Sequence, residues 1–233
     1  MNDTTAEPTS VAFHFDVICP WAYQTSLWMR EVRDRLGLDV DWRFFSLEEV
    51  NRAEGKKHPW EREWSYGWSM MRIGAFLKRR DPELNDAWYL RSGTAPHVEG
   101  RQPHRPEVAQ ELLTEMGLDP GIVDEALADE TTHDDVRNDH EDVLALGGWG
   151  VPTLVFPGVG DDPSRKLFGP VLIDPPTGAA AERLWNLVTG WLEYPDLFEL
   201  QRPKTPSDLA RIGDVFRPYI EAREWNTVAN PTP

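Results

Sequence analysis

The stretch that decides the fold is VAFHFDVICPWAY, residues 11–23, in a chain of 233 residues. Its first half, VAFHFDV (11–17), is a run of apolar and aromatic residues that predicts a buried strand. The only cysteine of the chain, Cys19, follows directly, and Pro20 then opens an amphipathic pattern that continues to Leu36. Proline suits the first helical turn because its missing N–H would have no partner there. The stretch therefore predicts a thiol at the start of a helix.

A thiol in this position has two alternative roles. The first N–H groups of a helix are unpaired and the helix dipole is positive there, which favours the nucleophilic thiolate. On this hypothesis Cys19 is reactive, with a depressed pKa. The alternative is a buried and inert cysteine, the more common fate of a lone free thiol. With one cysteine, an internal disulfide is excluded, and any disulfide must include a second molecule.

Two polar side chains interrupt the first strand. His14 and Asp16 are two residues apart and therefore point to the same face. Asp16 can tune the thiol of Cys19 or relay a proton, or it can accept hydrogen bonds from the turn before the helix. The hydrogen-bonding role is the favoured one for Asp16, and His14 is expected to be structural, but both are candidates for tuning the thiol.

The composition limits the class of protein. The formal net charge is −16, whereas nucleic-acid binding requires a basic face. No stretch approaches the ~20 consecutive apolar residues of a membrane span, and the polar N-terminus has no signal-peptide pattern. The histidines show no metal-ligand spacing. We therefore expect a cytoplasmic protein with no metal site and with neither nucleic acid nor membrane as a partner.

The rest of the chain divides at about residue 48 and again at about residue 147. Residues 38–47 alternate apolar and polar side chains and predict a second strand. Residues 48–146 have helical periodicity without a convincing strand, which predicts an all-helical insertion. Its predicted helices cover residues 59–80, 82–89, 103–116, 120–129 and 132–146.

On the predicted helix over residues 59–80, three tryptophans recur every four residues and predict one stripe along the helix. Core packing is favoured for this stripe over an aromatic wall above the thiol. The three tryptophans are Trp60, Trp64 and Trp68.

The second informative stretch is GGWGVPTLVF, residues 147–156. A glycine-rich loop leads into Val151 and Pro152 and then into a β-prone run, and proline is allowed at the head of a strand. The Val–Pro bond is a candidate for the cis form. Residues 166–173 predict the second strand of a hairpin, interrupted by Gly169 and Pro170, and residues 178–192 predict a helix.

This order predicts an α/β fold with a mixed four-stranded sheet, built from a βαβ unit and a ββα unit and carrying a large all-helical insertion. The expected domains are a disordered tail at 1–10, a sheet domain at 11–47 and 147–193, the helical insertion at 48–146, and a C-terminal extension at 194–233. The extension is expected to hold one helix, within 207–223, and a disordered end.

Three motifs in this order resemble the thioredoxin fold of the DsbA-like thiol oxidoreductases. That group includes the kappa glutathione transferases, the 2-hydroxychromene-2-carboxylate isomerases and the FrnE-type proteins. The motifs are FHFDVICPW at 13–21, GWGVPTLVF at 148–156 and LFGPV at 167–171. Together with YPDLFEL at 194–200, they are most similar to the actinobacterial mycothiol-dependent reductases of the nitroreductase type.

The resemblance implies a catalytic thiolate at Cys19 within the active-site motif Pro20, Trp21 and Ala22. The sequence departs from the family pattern at Ala22, where the usual second cysteine is absent. That cysteine resolves a mixed disulfide in the dithiol mechanism. Either the chain is a natural monothiol member, or Ala22 is an engineered replacement.

The resemblance also implies a substrate-binding side of the site. Pro152 is expected in the cis form, and the Val151 backbone is expected to bind a thiol or peptide by strand-like hydrogen bonds. Trp21 would flank the bound thiol.

Three functions remain as hypotheses. The first is a monothiol thiol–disulfide oxidoreductase, in which Cys19 forms a mixed disulfide that an external thiol resolves, with mycothiol as the first choice and glutathione as the second. The second is a thiol-cofactor-dependent isomerase or transferase of the 2-hydroxychromene-2-carboxylate isomerase or kappa glutathione transferase type. The third is a non-catalytic thiol-binding module. The resemblance implies a thiol co-substrate without a tightly bound cofactor, and related folds form homodimers.

Overall fold

The computed structural model describes residues 8–157 and 165–223, and its centre is a four-stranded sheet in the order β2-β1-β3-β4. The strands are β1 (Ser10–Phe15), β2 (Asp39–Phe44), β3 (Thr153–Val155) and β4 (Lys166–Phe168). β1 pairs in parallel with β2 and antiparallel with β3, and β3 pairs antiparallel with β4. The predicted mixed sheet is confirmed. Most of the predicted N-terminal tail and the predicted disordered end lie outside the described residues.

Helices surround this sheet, and most of them lie close to their predicted positions. α1 covers the predicted residues, and Gly37 ends it in the left-handed conformation (φ 68°) that favours glycine. Between β2 and β3 the described chain is helical and irregular, with no strand. The helices are α1 (Pro20–Leu36), α2 (Leu47–Val50), α3 (Trp68–Arg80), α4 (Pro82–His97), α5 (Pro106–Glu115), α6 (Ile122–Ala128), α7 (Thr131–Ala145), α8 (Ala179–Gly190) and α9 (Pro206–Ala222).

The predicted helix over residues 59–80 is wrong in its first half. A short 3-10 turn at Pro59–Glu61 is followed by irregular chain, and α3 begins only at Trp68. The carboxylate of Glu48 determines this start, because it accepts the backbone N–H groups of Gly67 and Trp68 at 2.8 and 3.0 Å.

The predicted tryptophan stripe is therefore wrong as well, although the core-packing role that we favoured for it is supported. Trp68 is fully buried and its Nε1 donates to His133 Nδ1 at 2.8 Å. The ring of Trp60 packs against that of Trp68 with centroids 5.3 Å apart.

The predicted fourth strand is also too long. β4 ends at Phe168, because Gly169 has a positive φ of 106° and Pro170 follows it through a cis peptide bond without an N–H to donate.

The helical insertion covers the outer edge of β2. The backbone N–H of Phe44 donates to Asp139 Oδ2 at 3.1 Å, and the Trp42 carbonyl accepts from Lys78 Nζ and Asn85 Nδ2 at 2.9 and 3.0 Å. Unpaired groups along an exposed strand edge would invite pairing with another chain. In this structure, side chains of the insertion form hydrogen bonds with the Phe44 N–H and the Trp42 carbonyl. The insertion and the sheet therefore pack together at this edge.

We expect Asp139→Ala to lower the free energy of unfolding by about 1–3 kcal/mol, because the Phe44 N–H loses its acceptor in a place that water reaches poorly. Denaturant unfolding measures the change. Asp142→Ala is the control on the same helix, since that side chain is 63% exposed and only forms a 3.5 Å ion pair with Arg43. Its effect should stay below about 1 kcal/mol, and equal losses in the two variants would contradict the role of Asp139.

Candidate functional site

Cys19 is the N-cap residue of α1, and its thiol is enclosed by the chain. The Sγ atom accepts the Ala22 N–H at 3.4 Å and donates to the Val151 carbonyl at 3.7 Å. Cys19 is only 5% exposed. The peptide bond from Val151 to Pro152 is cis. The structure thus brings the active-site motif and the loop before β3 together, although they are 132 residues apart in the chain.

Burial raises the pKa of the Cys19 thiol to about 12. The N–H groups of Ala22 and Trp21 act in the opposite direction, as expected at a helix start, while the negative charge of Asp16 adds to the rise. The expected depression of the pKa is therefore wrong for this enclosed geometry, because desolvation outweighs the helix N-terminus. Water has to reach the sulfur before the thiol ionises near neutral pH.

Asp16 lies beneath the site and is completely buried. Its carboxylate accepts the N–H groups of Ile18 and Leu47 at 3.1 and 2.7 Å, which is the hydrogen-bonding role that the sequence favoured. Burial nevertheless raises the pKa of Asp16 to about 7. A Cβ on Gly67 would come within 2.7 Å of Asp16 Oδ1, so the start of α3 packs directly on this carboxyl group. Asp16 is therefore held in a fixed position three residues before Cys19.

His14 is buried on β1, which ends at Phe15 before Asp16, and it is not part of the thiol's surroundings. Burial lowers the pKa of His14 to about 3, and the positive charge of Arg43 acts in the same direction. Within residues 8–157 and 165–223, no hydrogen bond or charge interaction connects His14 with Cys19. Of the two tuning candidates, the structure places Asp16 alone beside the thiol.

The C-terminal helix α9 covers the site from another side, which the sequence did not predict. The ring of Phe216 meets that of Trp21 edge to face, with centroids 4.7 Å apart. Burial raises the pKa of Tyr219 to about 12, and the negative charges of Asp16 and Cys19 act in the same direction. The spacing of Phe216 and Tyr219 indicates a buried helix face, but it does not tell what that face covers.

The described residues provide no site for a metal ion and no membrane span. Across 8–157 and 165–223, no three His, Cys, Asp or Glu side chains are grouped so as to hold a metal. In the same ranges, no helix combines the length and the apolar character needed to cross a bilayer.

The profile of the Rv2466c-like family, described as mycothiol-dependent nitroreductase Rv2466c, matches residues 18–202. The chain belongs to this family. It is thereby a thiol-dependent oxidoreductase. The match begins directly before Cys19 and ends before α9 starts at Pro206.

The chain is also similar to a mycobacterial protein and to solved structures. "Uncharacterized protein Rv2286c" of Mycobacterium tuberculosis is 54% identical over 220 residues, which are 94% of this chain and 93% of that protein. A 2-hydroxychromene-2-carboxylate isomerase structure matches with a TM-score of 0.55 and 17% identity, over 78% of this chain and 93% of that one. The cytosolic disulfide reductase DsbM of Pseudomonas aeruginosa matches with a TM-score of 0.51 and 19% identity, over 79% and 96%. At these identities the two structures show the DsbA-like thioredoxin fold alone.

We expect Asp16→Asn to flatten the dependence of stability on pH. The folded-state pKa of Asp16 is about 7 and lies above the ordinary value of 3.8. The contribution of Asp16 to the free energy of unfolding is therefore full below pH 3.8 and is lost as the pH rises through 7. The loss amounts to at most about 4 kcal/mol. Urea unfolding of the variant and the wild type between about pH 4 and pH 8 measures it.

Asp34→Asn is the control for this measurement, because that side chain is 67% exposed. It should keep the wild-type pH profile. Parallel profiles for Asp16→Asn and the wild type would show that Asp16 titrates normally in the folded protein.

Proposed function

We propose that the protein is a monothiol thiol–disulfide oxidoreductase that uses Cys19 together with an external low-molecular-weight thiol, mycothiol first and glutathione second. The observation that carries this proposal is the placement of a lone thiol at the N-cap of α1, between the Ala22 N–H and the Val151 carbonyl. Membership in the Rv2466c-like family supports mycothiol. Glutathione is supported by a second structure of the DsbM reductase, determined with glutathione.

The reaction consists of two exchange steps. The Cys19 thiolate attacks one sulfur of a substrate disulfide, a bond forms between Sγ and that sulfur, and the other half leaves as a thiolate that takes up a proton. An external thiolate then attacks the substrate sulfur of the mixed disulfide and releases the Cys19 thiolate. The two electrons that cleave the substrate disulfide thus come from the external thiol, which ends in a new disulfide. Ala22 cannot supply this second thiol, so the external one is essential.

Each residue around the thiol has a role in this proposal. The N–H groups of Trp21 and Ala22 stabilise the thiolate once water reaches it. Asp16 tunes the thiol through its negative charge, which raises the pKa of Cys19. Backbone groups of Val151 bind the incoming thiol in an extended conformation beside Pro152.

The same proposal extends to location and assembly. Cytoplasm is the compartment in which a pool of reduced low-molecular-weight thiols is maintained, and an external resolving thiol requires such a pool. Homodimer formation stays a prediction from the resemblance.

A thiol-cofactor-dependent isomerase or transferase is the second candidate. The observation that favours it is the protonated Cys19 thiol, which donates to the Val151 carbonyl and has a raised pKa. In this chemistry the residue orients a bound thiol and forms no covalent bond with it.

Cys19→Ser separates the two candidates, because a hydroxyl group retains the hydrogen bonds but cannot form a disulfide. We expect the wild type to gain one thiol adduct when incubated with oxidised mycothiol or glutathione, and to lose it when free thiol is added. The variant should gain none and should show no exchange above background. Intact-protein mass spectrometry and a disulfide-exchange assay give the two readouts, and exchange that survives in the variant would overturn the redox proposal.

Ala22→Cys should remove the need for an external thiol in the release step, although an external reductant is still required before a second turnover. The introduced thiol stands at the resolving position of the dithiol mechanism, so it should release bound substrate and leave an internal disulfide. Trapping the mixed disulfide with substrate and following its decay without added thiol tests this expectation. Ala22→Ser has nearly the same volume and no sulfur, and it should retain the stable adduct. Equal decay in both variants would contradict the monothiol mechanism.

A further inference from the structure

The helix α9 contacts the active-site motif but has no role in the exchange steps above. The family match ends at residue 202, before this helix begins. We propose that Phe216 and Tyr219 of α9 close the approach to Cys19 and restrict it to small disulfides, so that a disulfide on a folded protein is reached only after α9 has been displaced. The proposal rests on the proposed function for the chemistry that follows access.

The first contact that holds α9 in place is made with the active-site motif. The three buried residues of α9 are Phe216, Tyr219 and Ala222, which follow each other at intervals of three and form one face of the last turns. Phe216 packs its ring against Trp21, two residues after Cys19, with centroids 4.7 Å apart. Withdrawal of α9 would therefore uncover one side of the motif itself.

The second contact is made with His97 of α4, which is hydrogen-bonded to the loop before Cys19. The ring of Tyr219 lies 4.9 Å from the ring of His97, which in turn lies 5.0 Å from Tyr23 of α1. His97 Nε2 donates to the Val17 carbonyl at 2.8 Å, so this histidine is bound to the segment between β1 and α1. Tyr219 thus packs on a group that is fixed to the backbone two residues before Cys19.

The closed site leaves little room for a substrate. Cys19 and Val151 are each 5% exposed, whereas the attacking sulfur has to meet the substrate sulfur along the axis of the bond that breaks. Some covering element has to move before the exchange. The other neighbours of the thiol, α1 and the loop before β3, belong to the sheet and its core, and α9 is attached far more weakly.

The weak attachment of α9 is visible along its whole length. Every residue from 193 to 211 is exposed, so the preceding segment and the first turns of the helix bury little surface against the rest of the chain, and an ion pair between Arg211 and Asp174 is their contact with the segment after β4. Gly213 and Pro218 lie inside the helix, where glycine adds backbone freedom and proline removes a hydrogen bond. At the other end, Gln102 Nε2 donates to the Ala222 carbonyl at 2.6 Å. A segment with few buried contacts opens at a small fraction of the global unfolding free energy.

Space for such a movement exists beside the helix. A cleft of about 800 Å³ lies between one side of α9 and the segment after α4, beside the hydrogen bond from Gln102 to Ala222. It is lined by Val98, Gly100 and Gln102 on one side and by Asp214, Arg217 and Pro218 on the other. We expect a small shift of α9 into this cleft to admit a small disulfide but not a folded protein.

Alkylation of Cys19 by iodoacetamide tests the closure without depending on enzymatic activity. We expect Phe216→Ala and Tyr219→Ala to be alkylated about tenfold faster than the wild type, because lost ring contacts shift the opening equilibrium. Leu209→Ala is the control on the same helix, since Leu209 is 57% exposed, and its rate should equal that of the wild type. If the Phe216→Ala and Tyr219→Ala variants unfold cooperatively, and are therefore folded, but are alkylated at the wild-type rate, the proposal is overturned.

A second measurement uses the unmodified protein, in case the variants fold poorly. Alkylation of the wild type in urea below the unfolding transition should accelerate with a slope much smaller than the equilibrium slope of global unfolding. A slope equal to the global one would mean that the thiol is reached only in the unfolded chain, and the proposal would be wrong.

The substrate restriction is measured with two disulfides, glutathione disulfide and a mixed disulfide between glutathione and a folded carrier protein. The Phe216→Ala and Tyr219→Ala variants should gain more in rate with the protein disulfide than with the small one. Equal gains would overturn the restriction.

The two proposals fail in different ways. If the redox proposal is wrong, the alkylation rates of the variants are raised but disulfide exchange is absent. If the α9 proposal is wrong, disulfide exchange is intact and the alkylation rates of the variants are unchanged.

Discussion

The desolvation of the Cys19 sulfur is the constraint on which the site depends. The chain places a thiol where two backbone N–H groups favour the thiolate, and then buries it so that burial raises its pKa to about 12. The two effects act on the same sulfur atom. Displacement of α9, as proposed above, would remove the effect of burial but not that of the N–H groups. While the site is closed the thiol is neutral and hydrogen-bonded, and once water enters, the helix start favours the charged form. Access and reactivity are therefore coupled in one equilibrium.

Two neighbouring carboxylates connect this site with the helical insertion. Asp16 accepts N–H groups from its own loop and from Leu47 after β2, and the start of α3 packs on it at Gly67. Glu48, the next residue after Leu47, accepts the first N–H groups of α3. Three segments that are distant in the chain thus converge on two acidic side chains. The base of the thiol site and the position of the insertion are set by the same contacts.

Local signals allowed the sequence to predict the sheet, α1 and the hairpin. The apolar run, Pro20 and Gly37 lie within a few residues of the boundaries that they define. The start of α3 could not be predicted in this way, because Glu48 determines it from twenty residues away. The pKa of Cys19 was predicted in the wrong direction for a similar reason. The helix start is local, but the burial that outweighs it comes from Val151 and from other parts of the chain far away in sequence.

The placement of α9 shows a different limit of sequence reasoning. Periodicity predicted a helix within 207–223, and α9 covers Pro206–Ala222. Periodicity shows which face of a helix is buried but not which surface it is buried against. The contact between Phe216 and Trp21 joins residues that no local pattern relates.

The outer edge of β2 has a consequence for how this architecture diversifies and folds. The Phe44 N–H finds its acceptor 95 residues later, in α7. During synthesis, this N–H group of the β2 edge therefore lacks its acceptor until nearly the whole insertion has left the ribosome. An insertion transferred from a relative would need hydrogen-bond acceptors and donors positioned opposite the unpaired N–H and C=O groups of β2. Such insertions should be inherited together with their sheets rather than exchanged as separate modules.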